Sequence, residues 1–151
     1  MNKIERVLKN LKKRKWCIGV MESCTGGAII DSITNIPGSS DVFREGKVTY
    51  SDEAKIRAGV DEKIIKKYGV YSIEVAEEMA RKIGGEIGVG VTGNLNFPGI
   101  VYVAIRIGEK MESIKLKVEN KNKDKIEARK EMKEEVVGRV WGMIEEELKN
   151  L

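Results

Sequence analysis

Short apolar runs alternate with amphipathic segments along most of this chain, and that alternation admits few folds. Trp16 to Met21 is an apolar run suited to a buried strand. Gly46 to Ser51 is rich in Val, Thr and Tyr, Ile87 to Thr92 is apolar and dense in glycine, and Pro98 to Ile107 is the longest strand-like stretch. Ser113 to Val118 is positioned to pair with it across Gly108-Glu109. Between these runs the period changes. Ile4, Val7, Leu8 and Leu11 predict a helix over residues 3–14, and Ser23 to Asn35 reads as a helix with Ala28, Ile29, Ile30 and Ile33 on its apolar face. Pro37-Gly38-Ser39-Ser40 reads as a loop. Asp52 reads as the N-cap of a helix carrying Lys55, a second short helix follows Asp61, and Ser72 caps a helix over 73–84 that Gly84-Gly85 ends. The polar stretch 119–125 leads into one long helix from Asp124 to Leu148, with Met132, Val136, Val137, Val140, Trp141, Ile144 and Leu148 as its buried stripe.

Strands that alternate with helices predict an α/β fold, a layered α/β/α sandwich. The late hairpin makes the sheet mixed, mostly parallel, and the long C-terminal helix closes the layers. A length of 151 residues without repeat or linker reads as one domain over 1–151. With 41% hydrophobic and 34% charged residues the chain is globular. No apolar run approaches the ~20 residues of a membrane span, and Met1 to Lys15 lacks the apolar core of a signal peptide, so the expected location is the cytoplasm, without a membrane partner. Abundant Lys, Glu and Ile, with no glutamine, leans toward a thermophile's composition.

The chain contains no histidine, which excludes Ser-His-Asp and Cys-His catalysis and removes the commonest ligand of a catalytic metal. Cys17 and Cys24 form neither a disulfide framework nor half of a zinc site, and Cys17 reads as a reduced core residue. No metal and no cofactor are expected. The net charge of +4 is distributed over helices that also carry Glu, and no arginine–aromatic ladder points to nucleic acid. A small anionic ligand fits this balance better.

Three segments have the residue types for chemistry. Glu22-Ser23-Cys24-Thr25-Gly26-Gly27 lies between a strand and a helix, where free N–H groups and glycines let an anion approach and Ser23 presents a hydroxyl. Plain N-capping by Ser23 or Thr25 explains the same residues equally well. In Val48-Thr49-Tyr50-Ser51-Asp52-Glu53-Ala54-Lys55, Tyr50 would end a strand and Lys55 would sit in the first turns of the next helix. Without histidine, a Ser-Lys or Ser-Tyr-Lys arrangement is the simplest way to activate a serine, provided the lysine is desolvated. An edge tyrosine and a solvated lysine is the plainer alternative. Thr92-Gly93 ends a buried strand, where the glycine amide can face a developing oxyanion, although many strands end so.

Together, Glu22-Ser-Cys-Thr-Gly-Gly27, Ile36-Pro-Gly-Ser-Ser40, Val48-Thr-Tyr-Ser51, Glu53-Ala-Lys55, Tyr68-Gly-Val70, Glu74-Val-Ala76 and Val91-Thr-Gly93 resemble the signature of the CinA C-terminal domain family. The resemblance implies an amidohydrolase that deamidates nicotinamide mononucleotide to nicotinate mononucleotide and ammonia without a metal. By that resemblance Ser23 is the nucleophile, with Tyr50 and Lys55 as its catalytic partners. Thr25, Gly26, Gly27, Ser39, Ser40, Thr92, Gly93 and Arg129 are substrate-binding, Arg129 and the two serines on phosphate or ribose. It also implies a homo-oligomer, for which Val42 and Phe43 are candidate anchors beside an equally plain role in intrachain packing. The family's longer proteins carry a domain ahead of this one, which a chain with so short a leading segment is expected to lack. The departure is Thr92-Gly93-Asn94-Leu95-Asn96-Phe97-Pro98-Gly99, where the family has a longer glycine-rich loop. A nucleotide-binding or regulatory module with impaired turnover is therefore the alternative expectation.

Overall fold

The computed structural model describes residues 1–96 and 98–151; Phe97, part of the departing loop, lies outside the described residues. Five strands, β1 (Ile18–Glu22), β2 (Phe43–Val48), β3 (Ile87–Asn94), β4 (Gly99–Ile107) and β5 (Lys110–Val118), form one sheet in the order β2-β1-β3-β4-β5. β1 pairs in parallel with β2 and β3, while β3–β4 and β4–β5 are antiparallel. Only β4 therefore runs against the other strands, so the sheet is mixed and mostly parallel, ending in the expected hairpin. Helices α1 (Lys3–Arg14), α2 (Ala28–Thr34) and α6 (Lys125–Lys149) supply the core of one face, and α4 (Glu62–Tyr68) and α5 (Ile73–Lys82) that of the other. The short α3 (Asp52–Arg57) follows β2.

Most helix starts carry a side-chain cap, as their sequences require. Asn2, Asp61, Ser72 and Asp124 each accept a backbone N–H at the start of α1, α4, α5 and α6. At α3 the cap is Ser51, not Asp52; Ser51 Oγ accepts from Ala54 N, and Asp52 becomes the first helical residue, where its charge suits the positive end of the helix. β2 begins at Phe43, three residues before the expected start at Gly46, because pairing with β1 runs from Ile18↔Phe43. Arg44 hides this strand from an apolar-run reading: β2 is an edge strand that alternates half-buried and exposed positions, so polar residues are tolerated.

The larger core joins α1, α2 and α6 to Ile18 and Val20 of β1, Ile87, Val89 and Val91 of β3, and the inward residues of β4. Trp141 of α6 is buried there with its indole N–H donated to Ser32 Oγ at 2.9 Å. On the opposite face, Gly88 and Gly90 present bare backbone to α5. A methyl group at Gly90 would overlap the Ala76 carbonyl oxygen, and one at Gly88 the Ala80 carbonyl oxygen. The glycine density of β3 thus lets α5 lie directly on the sheet beside Ala76 and Ala80. Among the described residues, no helix is long and apolar enough to cross a membrane.

Candidate active site

The carboxyl ends of the three parallel strands gather at one edge of the sheet, the place where α/β sheets collect ligands. Just past β1, Ser23 is held by its own N–H donated to Val91 O of β3 at 3.0 Å. On the other side Thr49 N donates to Glu22 O at 2.8 Å, carrying the chain from β2 into α3. The first turn of α3 then directs Lys55 inward. Its Nζ donates to Ser23 Oγ at 3.0 Å and to the Thr49 carbonyl at 2.7 Å. Lys55 is 1% exposed. Burial lowers its pKa below the ordinary lysine value, opposed by the nearby Asp52 carboxylate.

Ser23 and Lys55 open onto a cleft of about 250 Å³, whose walls include Tyr50, Tyr71, Gly93, Asn94 and Arg129. The structure thus brings together five of the residues singled out from sequence: Ser23, Tyr50, Lys55, Gly93 and Arg129. Tyr50 stands at the mouth, 64% exposed, and among the described residues no hydrogen bond joins it to Ser23 or Lys55. Arg129 reaches the cleft from the second turn of α6, its Nη1 3.3 Å from Asn96 Oδ1. Cys24 also lines the cleft, with its thiol pKa pushed up to about 11 by burial, so the thiol is protonated near neutral pH and is no competing nucleophile.

The other expected contacts require correction. The carboxylate of Glu22 is fully buried and takes up the Gly27 amide, one of the donors expected to meet an anion, together with the first free amides of α2. Its Oε1 accepts from Thr25 Oγ1 at 2.6 Å, Gly27 N at 3.0 Å and Ile29 N at 3.2 Å, and its Oε2 from Ile30 N at 2.8 Å. Gly26 N donates to Ser23 O. The amides of Gly26 and Gly27 and the hydroxyl of Thr25 are thus bonded within the turn, with both glycines at positive φ (60° and 102°), and the helix begins only at Ala28. The chain supplies its own anion to this helix start. Ser39 and Ser40 lie in a 3₁₀ turn before β2, at the far end of the sheet, and Ser39 lines a separate cavity with Leu8 and Val42. Thr92 is buried with its hydroxyl donated to Val70 O at 3.0 Å, so it braces the loop ahead of α5. Val42, 2% exposed, belongs to the core, and Phe43 packs half-buried against it, so intrachain packing accounts for Val42 and for part of Phe43.

The sequence profile of the CinA C-terminal domain matches residues 2–140. The chain belongs to the CinA C-terminal domain family. A relative from Alkaliphilus metalliredigens, named as competence-damage inducible, is 41% identical over 125 residues, 74% of this chain and 30% of its own length. A CinA-like protein from Chloroherpeton thalassium is 48% identical over 94 residues, 59% of this chain and 22% of its own length. The chain thus spans less than a third of these curated relatives. Among solved structures, a competence-damaged protein (CinA) superfamily member from Klebsiella pneumoniae superposes with a TM-score of 0.88 at 22% identity, covering 100% of both chains, which shows the fold.

In this CinA C-terminal domain two cleft features escape a reading of sequence alone. Tyr71, 51% exposed, lines the cleft from the loop between α4 and α5. Its backbone is pinned on both sides: Val70 O accepts from Thr92, and Ser72 Oγ donates to Gly69 O at 2.7 Å. The only sequence signal for it is its place directly before a helix cap. The Thr49 carbonyl, which holds Lys55, is a backbone group and carries no side-chain signal at all.

Proposed function

We propose that this domain is an amidohydrolase that converts nicotinamide mononucleotide and water into nicotinate mononucleotide and ammonia, with Ser23 as nucleophile and Lys55 as its base. The observation that carries the reading is the 3.0 Å contact between Lys55 Nζ and Ser23 Oγ at the floor of a cleft, both side chains buried, in a chain without histidine. A serine hydroxyl needs an adjacent base, and a lysine serves as one when desolvation lowers its pKa. Lys55 meets that condition.

In the reading we favour, neutral Lys55 takes the Ser23 proton as Oγ attacks the carboxamide carbon. The same proton passes from Nζ to the departing nitrogen, the C–N bond breaks, and ammonia leaves an acyl-serine ester. Water then attacks the ester with Lys55 again as base, and Ser23 recovers its proton as the carboxylate forms. The Thr49 carbonyl orients Nζ throughout. Arg129, on the cleft wall, is the cation suited to the substrate's phosphate, and Gly93 is the backbone donor suited to the oxyanion. Tyr50, at the mouth, is better suited to covering the bound substrate than to relaying a proton.

A site of action in the cytoplasm and self-association belong to the same proposal; light scattering that gives only the mass of one chain would dismiss the second. The direct test of the activity is to incubate purified protein with nicotinamide mononucleotide and measure ammonia and nicotinate mononucleotide together. Equimolar release of both supports the reading. Binding without release would favour a module that has kept the pocket and lost turnover.

A further inference from the structure

Arg129 stands between two cavities. On one side is the Ser23–Lys55 cleft of about 250 Å³; on the other is a second cavity of about 400 Å³. Leu95, Asn96 and Arg129 line both, so the two spaces share one wall. Small-molecule sites commonly enclose roughly 300–1,000 Å³. The cleft alone falls short of that range, whereas the second cavity lies within it, alone or joined to the cleft.

The second cavity has the chemistry of a nucleotide site. Its apolar floor comes from Leu95, Ala128 and Met132, with Leu95 and Met132 buried. Its rim carries Lys123 and Lys125, which among the described residues make no ion pair. The acidic groups nearby are engaged elsewhere. Glu131 accepts from Asn120 and Asn122, Asp124 caps α6 at Ile126 N and Glu127 N, and Glu127 pairs with Lys130. Arg129 spends one donor on Asn96, and its fork is positioned to reach an anion from either side.

We infer that the site takes a dinucleotide. The nicotinamide half occupies the Ser23–Lys55 cleft, the pyrophosphate bridge runs from Arg129, at its first phosphate, to Lys123 and Lys125, at its second, and the second nucleoside lies on the Leu95–Met132 floor. The inference rests on the proposed nicotinamide-nucleotide reading and extends it from a mononucleotide to a pyrophosphate-linked pair.

Calorimetric titration of the full chain tests this with two probes, nicotinamide mononucleotide and oxidised nicotinamide adenine dinucleotide, on wild type and on the double variant Lys123→Ala/Lys125→Ala. Both lysines are exposed and, among the described residues, make no ion pair, so the variant leaves the fold intact. The dinucleotide should bind about tenfold more tightly than the mononucleotide, the double variant should abolish that advantage, and its affinity for the mononucleotide should stay within about twofold of wild type. Equal or weaker binding of the dinucleotide to wild type overturns the inference while leaving the mononucleotide reading intact. An equal loss for both probes in the variant also overturns it, because the lysines would then serve the mononucleotide's own phosphate. If wild type binds neither probe, the nicotinamide-nucleotide reading fails and takes the inference with it.

Discussion

Lys55 Nζ sits 3.0 Å from Ser23 Oγ, and the two residues come from opposite sides of the sheet edge, one after β1 and one in the helix that follows β2. Parallel pairing of β1 with β2 brings them together: Glu22 lies opposite Val48, and one residue further on each strand starts the two loops that converge. The contact is therefore a product of register, and the proposed chemistry depends on it.

The first prediction concerns pH. Burial disfavours the ammonium form of Lys55, so the folded protein holds this proton less tightly than the unfolded chain, whose lysines titrate near ~10.4. Turnover should rise as pH climbs through the depressed pKa and fall below it, because only the neutral amine is a base. The same linkage acts on stability. Between the folded and unfolded values the unfolded chain binds more protons, so stability rises with pH across that window and is lost as pH falls through the folded value. Urea denaturation of wild type beside Lys55→Met, from neutral pH to about 10.5, should show a flatter pH dependence in the variant.

Glu22→Gln should destabilise the domain by about 2–4 kcal/mol, as the replacement NH₂ cannot accept the hydrogen bonds that a carboxylate oxygen takes from a buried turn. Chemical denaturation measures the loss. A change below about 0.5 kcal/mol would mean that the turn around Thr25 and Gly27 does not need the charge.

Gly90→Ala should cost about 3 kcal/mol or more, because the new methyl group meets the Ala76 carbonyl of a helix that cannot withdraw without opening the core. Gly108→Ala is the control. Its φ of 60° gives a backbone cost of about 1 kcal/mol, but nothing lies within 4 Å of the added carbon. Thermal melts of the two variants should separate accordingly.

Tyr71→Ala should raise KM for nicotinamide mononucleotide about three- to tenfold with kcat little changed, the loss expected for a ring contact made before the chemical step. Tyr71→Phe keeps the ring and should restore KM. If the Phe variant is as impaired as the Ala variant, the hydroxyl matters and ring contact is the wrong account.

Much of the architecture was legible in the sequence. The periodicity over 3–14 marks both ends of α1, and Asp61, Ser72 and Asp124 mark the starts of three helices, because caps and 3.6-residue periods are local signals. The start of β2 is not legible, because Arg44, an outward residue on an edge strand, breaks the apolar run. The site was legible in part for a related reason. Ser23 and Lys55 stand out as residue types, and the absence of histidine directs attention to them. What Glu22 does could not be read so. A Glu directly before a Ser-x-Thr-Gly-Gly turn looks like one more polar loop residue, and only its burial reveals that its carboxylate accepts the free amides at the start of α2. Ser39 and Ser40 fail for the opposite reason: they follow a helix that carries the chain back to the other end of the sheet.

The most direct test of the central claim is steady-state ammonia release from nicotinamide mononucleotide by wild type and Ser23→Ala, with ligand affinity measured in parallel. Deleting a hydroxyl from a polar site costs about 0.5–1.5 kcal/mol of binding, so affinity should stay within about tenfold. Turnover should fall to background, because a covalent mechanism has no substitute for its nucleophile. Ser23→Ala protein that releases ammonia at the wild-type rate would contradict the account, and direct attack by water activated by Lys55 would take its place.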